Sequence, residues 1–219
     1  NNNQVVNKSV INEQSKDIDV ELNVNEKQDL KQTDTVQSKQ KELFGRVSEE
    51  ALALTDILKT PSQAEVKSDW QRFYGCSNYK ERQNREVCTD GIYAANNLDE
   101  ALWMTRQGYP TRDMLALLDY EENESLLKEL AEENHTAAQG LLAIKYQKEK
   151  NSKDAAYWAA SFKGGSPPNL SFPYRLSGMA SMNNLPDPVA LADIYIAGIL
   201  GDSRVNELGD MHPNVRPMM

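Results

Sequence analysis

Histidine and cysteine are both scarce in this chain, with two of each among 219 residues. A hydrolytic triad needs a histidine base beside a serine or cysteine nucleophile, and neither His135 nor His212 stands in such a setting. No histidine lies at ligand spacing from Cys76 or Cys88, so no zinc site is expected. A Gly-rich phosphate loop is absent, because Gly164-Gly165 closes a helical pattern where a phosphate loop would open one. The acidic residues do not follow calcium-loop spacing. These absences leave no metal, cofactor or catalytic residue to expect. No stretch approaches the ~20 apolar residues that a membrane helix requires, so no transmembrane segment is expected.

Aromatic residues are missing before Phe44, and 1–45 is rich in Asn, Gln, Lys, Ser and Asp. Such a composition cannot bury enough apolar surface to fold, and it predicts a flexible polar linker. Ile18, Val20, Leu22 and Val24 alternate with polar residues at strand period, which leaves open a segment that orders on a partner. A linker of this kind would hold an exported domain away from a membrane. No apolar signal segment follows Asn1, which is compatible with a removed leader or with a trimmed chain.

What the chain does hold is charge and helical pattern. Net charge is −9, which disfavours nucleic acid as the main partner, since phosphate contacts need a positive surface. Up to Arg46 there are 7 basic and 8 acidic residues, leaving 17 and 25 beyond it, so the body carries the excess. Asp119 to Glu133 concentrates seven acids around Lys128 alone. Glu121, Glu122, Glu132 and Glu133 in this run are either a solvated helix face or a docking surface for a basic protein partner.

Cys76 and Cys88 close a short loop, which predicts a disulfide worth ~3 kcal/mol and an oxidising compartment; two buried thiols in a reducing compartment are the alternative. Around this pair runs a series of helical patterns. Ser48 opens one that reaches Lys59. Ser62 and Glu65 make a capping box before Val66, Trp70 and Phe73. Asn97 with Glu100 starts the next. Thr136 with Gln139 starts a helix whose apolar face includes Ala138, Leu142 and Tyr146, and Ser152 caps one carrying Ala155, Trp158, Ala159 and Phe162. Gly164, Gly165, Pro167 and Pro168 are predicted to stop that helix, since glycine permits a left-handed cap and proline lacks the next donor. Leu170 to Met182 reads as a weaker helix with Pro173 in its first turn, and Asp187-Pro188 opens the last, which Gly201 ends. Two such helices cannot bury their apolar faces alone and need neighbours.

Leu142-Ala143 with Tyr146 and Leu191-Ala192 with Tyr195 share a Leu-Ala-x-x-Tyr pattern, flanked by Ala138-Gln139, Ala155, Trp158, Gly165 and Gly198. Over roughly 129–201 the chain resembles the Sel1-like branch of the tetratricopeptide repeats. Glu149 stands where that family's loop glycine is expected, and 166–184 is irregular. The resemblance implies an all-α, right-handed solenoid of antiparallel helical hairpins over 46–203, between the flexible tail and a C-terminal tail at 204–219. It also implies a binding scaffold, frequently exported, in which Tyr146 and Trp158 fill the spaces between hairpins.

The expectation is therefore an exported, periplasmic protein-binding module of bacterial type, an immunity protein against a secreted toxin or an envelope assembly factor. Tyr146, Tyr157, Tyr174 and Tyr195 are its candidate contact anchors, each weighed against a packing role. The alternative is a peptidoglycan-processing enzyme with a groove carboxylate. Glu124-Ser125 is similar to the Glu-Ser of lytic transglycosylases, but the rest of that motif is missing and the pair reads as a helix start.

Overall fold

The computed structural model describes residues 47–82, 85–182 and 187–205. The chain divides into two units, 1–46 and 47–219, and the second contains all the described residues. The linker at 1–45, with its Ile18–Val24 alternation, lies outside the described residues, as does 206–219 of the C-terminal tail.

The body is helical. Its helices are α1 (Glu49–Leu54), α2 (Gln63–Ser68), α3 (Trp70–Tyr74), α4 (Leu98–Arg106), α5 (Arg112–Ala116), α6 (Glu122–Glu132), α7 (Thr136–Lys148), α8 (Ser152–Gly165), α9 (Ser171–Ser181) and α10 (Pro188–Ile199). From α6 onward each helix packs on the next, and α7 also reaches α9. The N-terminal helices fold back on this series: α2 packs on α4, and α1 on α6, where Glu129 accepts a 3.0 Å hydrogen bond from the Ser48 amide.

Several start signals work as the sequence predicts. Ser62 and Glu65 bond reciprocally, Asn97 accepts from the Glu100 amide, and Asp187 accepts from the Val189 amide ahead of Pro188. Each such cap satisfies an amide that the helix leaves without a partner, worth about 1 kcal/mol. Other boundaries move. The regular helix from Ser48 ends at Leu54 and continues to Leu58 only as turns. Asp69, at φ −153° and ψ 68°, interrupts the next one and caps α3 by accepting from the Arg72 amide. Thr136 does not cap α7: it is the first helical residue, and Gln139 turns away to donate to the Ala131 carbonyl. Asn151, not Ser152, caps α8.

Gly164 and Gly165 are the last two residues of α8, which ends where the sequence predicts, but neither takes the left-handed conformation and Ser166 follows at φ −91°. Glycine instead allows close helix contact. A Cβ on Gly165 would stand 2.8 Å from Thr136 Cγ2 on α7, and one on Gly178 of α9 would stand 2.7 Å from the Ile194 side chain on α10. The turn between α7 and α8 does use the left-handed region, but at Lys150 (φ 61°), one residue beyond Glu149. Gly201, at φ 95°, follows α10 as the sequence predicts.

One feature departs from the helical expectation. Two strands, β1 (Tyr79–Arg82) and β2 (Arg85–Cys88), pair antiparallel with Tyr79 opposite Cys88. Lys80, Glu81, Arg85 and Glu86 make this stretch too charged to show the alternation of a half-buried strand. It needs no buried face, because its base is held covalently and by hydrogen bonds. Cys76 and Cys88 stand at disulfide distance, S–S 2.04 Å, and Asp90 accepts from the Ser77 and Asn78 amides and from both their side chains.

The core runs through α1 to α9, with Leu127, Leu130, Leu142, Ile144, Phe162, Phe172 and Leu176 all buried. Tyr146 and Trp158 belong to it, as packing residues should. Pro173 sits in the first turn of α9, yet that helix buries most of its residues, Arg175 included. The segment after α10 is equally tied in. Asp202 is fully buried and accepts from Tyr109 Oη (2.7 Å) and Arg175 (3.3 Å). Arg204 donates to the Ile92 and Ala94 carbonyls and to Glu100, with its guanidinium 5.2 Å from the Tyr109 ring centre. These bonds fasten the end of the described body to helix α4 and the turn before it.

Candidate binding site

The candidate residues read from the sequence are spread over five helices, α6 to α10, and the two residues that flank α6. Tyr146 is buried on α7, and its hydroxyl donates to Glu124 of α6 at 2.6 Å. Tyr174 is half-buried on α9 beneath the Lys163 ammonium, 5.9 Å from its ring centre. Tyr157 and Tyr195 are the two open ones, 62% and 55% exposed, on α8 and α10. Glu121, Glu122 and Glu132 are exposed and Glu133 half-buried. Glu122 and Glu132 stand at opposite ends of α6, about 15 Å apart along its axis at the rise of an α-helix. The acids therefore form two pairs at the helix ends.

Glu124 does not act as a helix cap. It accepts from Tyr146, and Lys128 (2.7 Å) and Lys145 (3.4 Å) pair with it; Lys145 also pairs with Glu149 at 2.7 Å. Lys128 and then Tyr146 are the main reasons why its carboxyl is held down at about 2. A carboxyl so low cannot keep a proton to give to a glycosidic oxygen at neutral pH. Other displaced carboxyls also move downward. Hydrogen bonds from Ser62 and Ser48 lower Glu65 and Glu129. At Asp90 and Glu100 burial pushes upward, but hydrogen bonds, with Arg204 in the case of Glu100, outweigh it.

Helix α10 presents the clearest open surface. Its only charged side chain, Asp193, points inward, accepting from Lys163 (2.6 Å) and Ser177 (2.7 Å). Outward it shows Val189, Ala192, Tyr195 and Ile199, which fall within about a third of the helix circumference at 100° per residue. Val189, Tyr195 and Ile199 are 63%, 55% and 67% exposed.

A second feature is a cavity of about 260 Å³ between the turn after α4 and helices α7 to α9. Tyr109, Met114, Leu141, Ile144, Phe162 and Phe172 form its buried floor, with Thr60, Thr136, Ser166, Pro167 and Leu170 at the rim.

No family model, curated protein or solved structure matches this chain.

Sequence reasoning named Tyr195 but not the α10 face around it, and none of the cavity. The signal for the face was present: Pro188 to Ile199 holds one charge in twelve residues, unusual for a helix with a solvent side. The cavity had no such signal, since its walls come from four separate helices and the turns between them. Among the described residues, the one group spaced to hold a metal is Cys76, Cys88 and Asp90. The sulfurs there stand at disulfide distance and Asp90 is already bonded to Ser77 and Asn78.

Proposed function

We propose that this chain is an exported protein-binding module of the helical-repeat kind, its hairpins stacked antiparallel in a solenoid. The observation that carries the binding reading is the outer face of α10. Val189, Tyr195 and Ile199 stand open on a helix whose only charged group faces inward, on a body that is otherwise strongly charged. An uncharged apolar patch with an aromatic residue at its centre is the usual make-up of an interface core, where tyrosine supplies area and a polar tip.

The net charge of −9 and the exposed Glu121, Glu122 and Glu132 favour a partner with a basic surface, through faster encounter more than through affinity. A secreted basic toxin held inactive, or a component of an envelope assembly, has that chemistry. The cysteine pair at disulfide distance supports an oxidising compartment such as the periplasm. The lowered carboxyl of Glu124 speaks against that residue as a general acid.

The test is capture from native envelope extract with the full chain, run beside Tyr195→Ala and Ile199→Asp variants and a peptidoglycan degradation assay. We expect stoichiometric recovery of one protein, at least tenfold reduced by either variant, and no turnover. Recovery indifferent to both variants would remove α10 as the contact face, and turnover lost on changing a carboxylate would replace the binding reading with an enzymatic one.

A further inference from the structure

We infer that the cavity beside α7 receives a tryptophan side chain of the protein partner; this rests on the protein-binding reading and gives that partner a specific anchor.

Three properties of the cavity point to that occupant. The first is charge. None of the fifteen lining residues carries a charge at neutral pH, Tyr109 being the one that can ionise and burial keeping it protonated, whereas two other surface pockets include Arg112, and one of these also Asp90, Asp113, Asp119 and Lys148. A charged side chain entering here would lose its water and find no counter-charge, so an uncharged group is selected.

The second is size and shape. An apolar cavity of ~150 Å³ binds benzene, and this one, at about 260 Å³, has room for a larger ring system. Its floor is aromatic: the Tyr109 and Phe172 rings lie 4.3 Å apart between centres, and Phe162 meets Phe172 edge-on at 5.9 Å. Aromatic walls favour an aromatic occupant by edge and offset contacts worth more than area alone.

The third is the polar rim. Ser166 Oγ donates to the Phe162 carbonyl at 2.6 Å, which leaves the oxygen able to accept. Thr60 and Thr136, which also line the cavity, carry two further hydroxyls. Among neutral side chains, the one that combines a two-ring apolar body with a single N–H donor is tryptophan. Thr60 and Pro167 at the rim are exposed, so the ring can enter while its backbone stays outside on the partner.

The probe is N-acetyl-tryptophan amide added to the full chain with labelled methionine and isoleucine methyls. Met114 and Ile144 report from the floor. We expect saturable shifts at both methyls, no response to N-acetyl-lysine amide, and at least tenfold weaker binding in Ala137→Phe, which fills the cavity from α7. Thr60→Tyr, which blocks it from the exposed rim, serves as the second variant should Ala137→Phe not fold.

Absent shifts, an equal response to the lysine amide, or undiminished binding in a folded blocked variant would each overturn the assignment. Failure of the protein-binding reading shows differently, as no recovered partner even though the two methyls respond; that outcome removes the partner's side chain as occupant. Recovery of a partner that both blocked variants bind normally also overturns it, while leaving the α10 face in place.

Discussion

Asp202 gives the most demanding test of how this body is held together. Both it and Arg175 are essentially removed from solvent, at 0% and 1% side-chain exposure, with 3.3 Å between them. One carboxylate oxygen accepts from Arg175 and the Arg204 amide, and the other from the Tyr109 hydroxyl. Asp202→Asn keeps the shape and removes the charge, leaving the guanidinium of Arg175 buried without its counter-ion. Such a loss costs about 3–5 kcal/mol, a large part of the 5–15 kcal/mol that a domain of ordinary stability has. At a urea slope of about 2 kcal/mol per M, the unfolding midpoint should fall by about 1.5–2.5 M. The assay is urea unfolding followed by far-UV circular dichroism at pH 7, on the wild type, Asp202→Asn, Arg175→Met and the double variant. Removing both charges should recover at least about 2 kcal/mol relative to the sum of the single changes. A midpoint shift under about 0.5 M with unchanged slope, or additivity within about 0.5 kcal/mol, would refute the argument.

Three further outcomes are expected. Because Glu124 is held at about 2, below its unfolded value, it stabilises the fold above pH ~4.5 and that contribution disappears as pH falls toward 2. Glu124→Gln should therefore cost about 1 kcal/mol at pH 7 after allowing for solvent screening, and little at pH 2, as read from urea midpoints at the two pH values. Lys150→Gly should raise stability by about 0.5–1 kcal/mol, since a left-handed lysine costs more than the added chain entropy of glycine; an unchanged or lower melting temperature would contradict the strain at φ 61°. Reduction of the Cys76–Cys88 link should abolish amide-exchange protection across β1 and β2 while α7 to α9 stay protected; loss of protection throughout would mean that the hairpin supports the core.

Local chemistry was legible wherever a few neighbouring residues decide the outcome. The capping pairs at Ser62–Glu65, Asn97–Glu100 and Asp187–Pro188 act within one helical turn, so their spacing alone announces them. The cysteine pair was readable for the same reason, as was the placing of Tyr146 and Trp158 in the core. Starts with two competing polar side chains were harder. At Asn151–Ser152 either side chain can cap, and the path of the chain leaving α7 through Lys150 selects the asparagine. At Thr136 the competitor is Gln139, which the approach of α6 draws to the Ala131 carbonyl. The β-hairpin was hidden because hydrophobic period signals burial, and this hairpin is held by its closed base.

By itself, the amino-acid order determined a helical body, its principal helix starts, its acidic excess and the closure of one loop, because each depends on contacts within a turn or on simple sums of charge. Only the tertiary structure decided which tyrosines are open, that Asp193 faces inward and leaves α10 with an uncharged outer face, that Asp202 meets Arg175 and Tyr109, and that a neutral cavity lies between helices. The Asp202 contacts alone join residues 27 and 93 positions apart, and Asp193 meets Lys163 across 30. Sequence spacing carries no information at that range until packing sets the distances.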